Sequence, residues 1–239
     1  MAESAQPAEV IRITDLSSHV RELVLSPLEH RVSYQPGQWI SLKLPVGQKP
    51  PLNRAYSMAE PEVSSGYLTV VFDRVPTGLG SQYLFSLKIG DCVPLSGPHG
   101  KFMLPQQEHK RFLLIGRYTG IVPIRCMARS VIPLGNSTQI TVIAAAPSES
   151  ERLYHDEFLN LASRHSHFQY MSTIYGHDVK QDAADDVLRV IDLVQQFTGK
   201  HRDFIPMICG LRDFVRPLRT YFMDDLGFDR KVVRVETYD

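Results

Sequence analysis

Up to about Leu104 the apolar positions come in short runs alternating with polar ones, and Pro or Gly ends each run. Val10 to Thr14, Val20 to Leu25, Gln38 to Leu44, Ala55 to Met58, Tyr67 to Arg74 and Cys92 to Ser96 are rich in β-branched residues and too short for stable helices. A period of two marks half-buried strands, so this half reads as antiparallel β with one short helix at Gln82 to Leu87. Strands of this kind suggest a closed, Greek-key barrel. From Arg111 the pattern changes. A buried strand at Phe112 to Ile115 precedes a helix from Pro123, then strand Ile140 to Ala145, helix Glu151 to Arg164 and strand Phe168 to Ile174. Helix Asp185 to Phe197, strand Ile205 to Ile208, helix Asp213 to Leu226 and strand Lys231 to Val235 complete the series. Strand and helix in alternation imply an α/β doubly wound parallel sheet. The polar stretch Pro105 to Lys110 reads as the linker, giving domains over residues 1–106 and 107–239. Ser148-x-x-Glu151 reads as a capping box, and Pro123 suits a first helical turn.

Composition narrows the function more than the fold. A chain of 239 residues allows two modest domains. Its 26 basic residues balance 26 acidic ones, which argues against nucleic-acid binding. No apolar run approaches membrane-spanning length, so no membrane insertion is expected. Met1 to Gln6 has neither a basic start nor an apolar stretch, so a cytoplasmic location is expected. Cys92, Cys126 and Cys209 form no close pair, which suits a reducing compartment. An iron–sulfur cluster held by this chain alone would want about four thiolates, so an electron partner must be another molecule. His165 and His167 lack a nearby carboxylate or thiolate at ligand spacing; they read as surface histidines, and no metal is expected.

The candidate chemistry begins at Asn53-Arg54-Ala55-Tyr56-Ser57. On a strand, Arg54, Tyr56 and Ser57 are expected to offer one face with a cation, an aromatic plate and a hydroxyl. A flavin nucleotide needs these: charge for its phosphates, a flat wall for its isoalloxazine and a hydrogen bond near N5. Further on, Thr77-Gly78-Leu79-Gly80-Ser81 runs into a helical pattern, where backbone N–H groups and the helix dipole favour an anion and Ser81 stands as the N-cap. Gly90-Asp91 marks a turn, and Gly97-Pro98-His99-Gly100-Lys101-Phe102 closes the block.

Arg-x-Tyr-Ser, Gly-x-x-Ser-x-x-Leu, Gly-Asp and Gly-Pro-x-Gly-x-Phe, in that order, resemble the ferredoxin–NADP reductase family. Thr119-Gly120-Ile121-Val122-Pro123 is similar to its nucleotide turn, Leu153-Tyr154-His155-Asp156-Glu157 to a helix start, and Ile208-Cys209-Gly210 to its late Cys-Gly. The resemblance spans essentially the whole chain. It implies that Arg54 holds the FAD pyrophosphate, Tyr56 packs on the isoalloxazine, Ser57 approaches N5, and Ala55, Gly80 and Ser81 belong to the same cradle. It implies that Thr119, Gly120, Cys209 and Gly210 meet NADPH or NADH, that Cys209 and Glu236 line the nicotinamide side, and that Tyr238 covers the flavin. Ser57, Cys209 and Glu236 are thus the catalytic candidates. The implied activity is hydride transfer from NAD(P)H to FAD, then single electrons to a ferredoxin- or flavodoxin-like carrier or a partner enzyme subunit.

One departure opens an alternative. The family has two or three glycines ahead of its Thr-Gly, whereas this chain has Gly116-Arg117-Tyr118-Thr119-Gly120. A Cβ at two of these positions can keep the backbone from a phosphate. Arg117 can supply compensating charge, and Tyr118 can block the pocket. The alternative is therefore an FAD-binding electron-transfer subunit or redox sensor that does not use NAD(P)H. Arg212, Arg216 and Arg219 on one helix, and Arg125 and Arg129 on another, read as solvated faces or as a docking patch for an acidic carrier.

Overall fold

Strands with alternate side chains buried build the first half of the chain. In a computed structural model, residues 5–47, 50–62, 64–105, 111–134, 138–176, 184–198 and 202–238 are described. Met1 to Ser4, most of the expected linker and the expected 106/107 boundary lie outside them. Two compact units form, one reaching Leu104 and also taking in Arg125–Met127, the other comprising the rest.

The first unit contains β1 (Gln6–Asp15), β2 (Val20–Pro27), β3 (Trp39–Leu44), β4 (Leu52–Ser57), β5 (Leu68–Asp73), α1 (Leu79–Ser86) and β6 (Cys92–His99). They form one antiparallel sheet in the order β4-β3-β6-β1-β2-β5. A bridge between Met58 and Val70 joins the β4 and β5 ends, so the sheet closes into the expected barrel. Along β3, Ile40, Leu42 and Leu44 are fully buried while Ser41 and Lys43 are not. The same face of β2, β5 and β6 supplies Leu23, Leu25, Leu68, Val70, Val93 and Leu95 to the core. Gly100 has φ +97, and a Cβ there would stand 2.7 Å from the Trp39 ring. The Gly-Pro-x-Gly-x-Phe motif thus serves packing, with Phe102 buried at its end.

The second unit carries β7 (Arg111–Arg117), α2 (Ile121–Val131), β8 (Gln139–Ala146), α3 (His155–Arg164), β9 (Phe168–Ile174), α4 (Ala184–Thr198), β10 (Phe204–Leu211), α5 (Arg212–Thr220) and β11 (Arg234–Tyr238). All strand pairs are parallel, in the order β11-β10-β7-β8-β9. The order reverses at β7, the topological switch point of a doubly wound sheet. β7 and β8 are buried almost throughout, as strands covered on both faces must be. Leu113, Ile115, Ile143 and Ile208 pack against Val187, Val190, Val194, Phe214 and Leu218 of α4 and α5.

Several expectations need correction. The helix from Glu151 to Arg164 is split into a 3₁₀ turn at Glu149–Glu151 and α3. Tyr154 between them has φ 60, a left-handed conformation that a right-handed helix cannot contain. The Ser148 side chain makes no cap hydrogen bond, so there is no capping box. The helix Asp213 to Leu226 ends at Thr220 and passes into a π-helical turn at Tyr221–Asp225, after a Pro217 that has no N–H to donate. The last strand begins at Arg234, in register with Met207, and not at Lys231. His167 is buried, not on the surface, and neither ring nitrogen has a hydrogen-bond partner. Arg125, read as part of a solvated face, is buried too. Among the described residues no His, Cys, Asp and Glu cluster could hold a metal, and no helix is long and apolar enough to cross a membrane.

Candidate functional site

In the first unit, β4 pairs with β3 without a bulge, setting Arg54 opposite Leu42, Tyr56 opposite Ile40 and Ser57 opposite Trp39. Arg54 and Tyr56 therefore share a face, but Ser57 points the other way. The expectation of one common face fails for Ser57, because successive strand residues alternate sides. Ser57 is buried at the last position of β4. Arg54 is exposed; its guanidinium donates to the Asn53 carbonyl at 2.9 Å, and no carboxylate pairs with it among the described residues. A surface cation without a counter-ion is what a phosphate requires. Ala55 is exposed beside it. Tyr56 is half-buried with its ring 5.8 Å from that of Phe72, and burial pushes its phenol well above the usual range despite the neighbouring Arg54. The ring is a neutral aromatic plate at working pH.

Gly80 brings α1 against that strand. A Cβ on it would lie 3.0 Å from Leu44, 3.1 Å from Leu52 and 3.6 Å from the Arg54 side chain. Ser81 is not the N-cap. Gly78 holds that position, and the buried Ser81 hydroxyl instead accepts from the Val75 N–H at 2.9 Å and donates to the Asp73 carbonyl at 3.1 Å. It pins the loop ahead of α1 to the end of β5.

In the second unit, residues far apart in sequence converge at the carboxyl ends of β7, β10 and β11. Cys209 stands in register with Gly116 on one side and Glu236 on the other. A Cβ on Gly120 would fall 2.4 Å from the Cys209 carbonyl oxygen, so the missing side chain lets strand β10 pack close against this turn. Thr119, Gly120, Cys209 and Gly210 are thereby brought together. The Cys209 thiol is fully buried, and desolvation drives its pKa far up, outweighing the hydrogen bond from Tyr238. Burial also raises the carboxyl pKa of Glu236. Tyr238 pairs with Leu211 and rims a shallow depression with Arg212, Asp213, Arg216 and Pro217.

At the altered turn, Arg117 does not behave as its sequence suggests. Arg117 supplies no charge to a ligand, because its Nε donates to Asp186 Oδ2 at 2.7 Å with both side chains buried, and it lies 4.5 Å over the Tyr175 ring. Tyr118 has φ 51 and donates its hydroxyl to Glu151 Oε2 at 2.9 Å. Asp186 was not singled out by sequence, and Glu151 only as the far end of the expected capping box. The first had a signal, since Asp186, Val190 and Val194 recur every fourth residue and put an acid on the buried stripe of α4. Another cavity, of about 230 Å³ between Arg111, His167 and Asp203, lies at the amino ends of the strands. Sheets of this topology bind at the carboxyl ends, so it is not the site.

Comparison with known proteins shows the family. Residues 7–104 match the oxidoreductase FAD-binding domain family, and residues 114–220 the oxidoreductase NAD-binding domain family. The chain is 30% identical to ferredoxin–NADP reductase B of Sorangium cellulosum, over 97% of each protein. It is 27% identical to the reductase component of a Pseudomonas phenol 2-monooxygenase, over 69% of this chain but only 46% of that one. The ferredoxin–NADP+ reductase of Plasmodium falciparum superposes with a TM-score of 0.80, covering 98% of this chain and 96% of that one; at 20% identity this speaks to the fold alone.

Proposed function

The chain belongs to the ferredoxin–NADP reductase family of FAD- and NAD(P)-binding oxidoreductases, and on that footing we propose that it reduces FAD with NAD(P)H and passes single electrons to a separate ferredoxin- or flavodoxin-like carrier, or to a partner enzyme subunit. The observation that carries the catalytic part is the convergence of Cys209, Glu236 and Tyr238 beside Gly120 at the switch point. An external carrier is supported by the cysteines, since three of them cannot hold a cluster needing about four thiolates. An exposed free thiol at Cys92 supports a reducing compartment, such as the cytoplasm.

In this reading the residues divide the work. Arg54 binds phosphate, Tyr56 backs the isoalloxazine, and Ser57 donates a hydrogen bond toward N5 from the end of β4. Ala55 and Gly80 keep the approach to Arg54 free of bulk, while Ser81 holds the adjoining loop. Bound FAD supplies the exchange between two-electron and one-electron chemistry. Thr119, Gly120 and Gly210 receive the coenzyme, and Cys209 with Glu236 orients its nicotinamide and excludes water. Tyr238 shields the site until the coenzyme enters.

Two substitutions separate binding from chemistry. Arg54→Ala should weaken FAD retention by about 1.5–3 kcal/mol, roughly 10- to 150-fold, as measured by equilibrium dialysis. Cys209→Ala should leave FAD content intact and slow anaerobic flavin reduction; unchanged turnover at saturating coenzyme would remove Cys209 from the site. The carrier itself is tested by supplying reduced protein with purified ferredoxin and flavodoxin separately. If neither is reduced faster than a small-molecule acceptor, the carrier reading is wrong. The alternative, a flavin subunit blind to NAD(P)H, predicts flavin that stays yellow under both coenzymes.

A further inference from the structure

A dinucleotide crossing the switch point with its nicotinamide near Cys209 must run its pyrophosphate past the amino end of α2 and its adenosine over the ends of β8 and β9. There the crevice is closed. It is lined by Tyr118, Ala144 to Ala146, Glu151, Leu153 and Tyr170, and it keeps about 10 Å³ of free space. That is room for about one water molecule, whereas small-molecule sites take a few hundred Å³.

Tyr118 does the closing. It is one of two non-glycine residues with positive φ among the described residues, a conformation that disfavours any side chain with a Cβ. It is held there by burial of its ring and by the 2.9 Å hydrogen bond to Glu151, itself buried in the turn after β8. Backbone strain at this turn makes Tyr118 a candidate two-state element, with its hydrogen bond to Glu151 among the contacts that hold the closed state.

Building on the NAD(P)H reading above, we propose that Tyr118 is a gate: its ring, latched to Glu151, fills the adenosine half of the coenzyme site and must swing out before NADPH or NADH binds. The apparent affinity then equals the intrinsic affinity multiplied by the fraction of open molecules. Tyr118 is a positioning residue here and takes no part in hydride transfer.

The test uses FAD-loaded protein, wild type, Tyr118→Gly and Tyr118→Phe, titrated calorimetrically with NADP+ and with NAD+ and assayed by anaerobic flavin reduction. Glycine accepts φ 51 without strain, so Tyr118→Gly is expected to fold and to bind the preferred coenzyme roughly tenfold or more tightly. Tyr118→Phe keeps the ring and loses the latch, and should shift affinity the same way by less. The half-saturating coenzyme concentration should fall more than the saturated rate changes. Equal affinity in all three proteins overturns the gate and leaves the coenzyme reading standing. Weaker binding by Tyr118→Gly also overturns it, making the ring a ligand contact. Flavin that no coenzyme bleaches in any of the three overturns gate and reading together.

Discussion

Asp186→Ala should cost about 3–5 kcal/mol of unfolding free energy, the largest stability loss expected from a single substitution in this protein. The change leaves the Arg117 guanidinium buried against Tyr175 without its carboxylate. Charge held out of water without a counter-ion is more damaging than loss of the pair as a whole. The thermal midpoint of the second unit should drop by on the order of 10 °C, at roughly 2–4 °C per kcal/mol for a chain of this size. Calorimetry and urea titration give the two numbers. The double replacement Arg117→Met with Asp186→Leu should recover most of the loss, because it removes both charges and keeps the volume. A loss below about 1 kcal/mol for Asp186→Ala would mean that the pair is hydrated, contrary to its burial.

Gly120→Ala should have the largest effect on catalysis with the least on cofactor content. Gly120 has φ −61 and ψ −13, which alanine adopts freely, so backbone strain plays no part. The added methyl would meet the Cys209 carbonyl oxygen at 2.4 Å and carbon at 2.8 Å. Both are main-chain atoms of a buried strand and cannot rotate aside, so the turn or β10 must move by close to an ångström. A displacement of about 1 Å at a reacting site can lower the rate roughly 100-fold. Anaerobic stopped-flow reduction should show that fall while FAD stoichiometry stays at the wild-type level, since the first unit is untouched. A normal reduction rate would mean that the turn and Cys209 are not coupled as the geometry requires.

Periodicity carried most of the architecture. The alternation in β3 and the unbroken apolar runs of β7 and β8 are visible in sequence because burial on one face or on two writes directly onto side-chain polarity. Element ends were less legible. Tyr154 and Pro217 interrupt helices that their neighbours favour, and only the surrounding packing decides whether a helix resumes beyond such a residue. Ser81 was misread because a hydroxyl before an apolar run has two outlets, the helix's own N–H groups or another loop, and polarity patterns do not distinguish them.

The amino-acid sequence by itself determined the two-part architecture, the strand-then-alternation order and the residue types of the site, because hydrophobic period and turn chemistry are local properties. Tertiary structure alone decided which of those residues meet. It set Glu236 beside Cys209, and sent Arg117 into the core to Asp186 instead of out to a phosphate. Partners 27 to 69 positions apart are fixed by strand register and burial, and neither can be read from any local stretch of the chain.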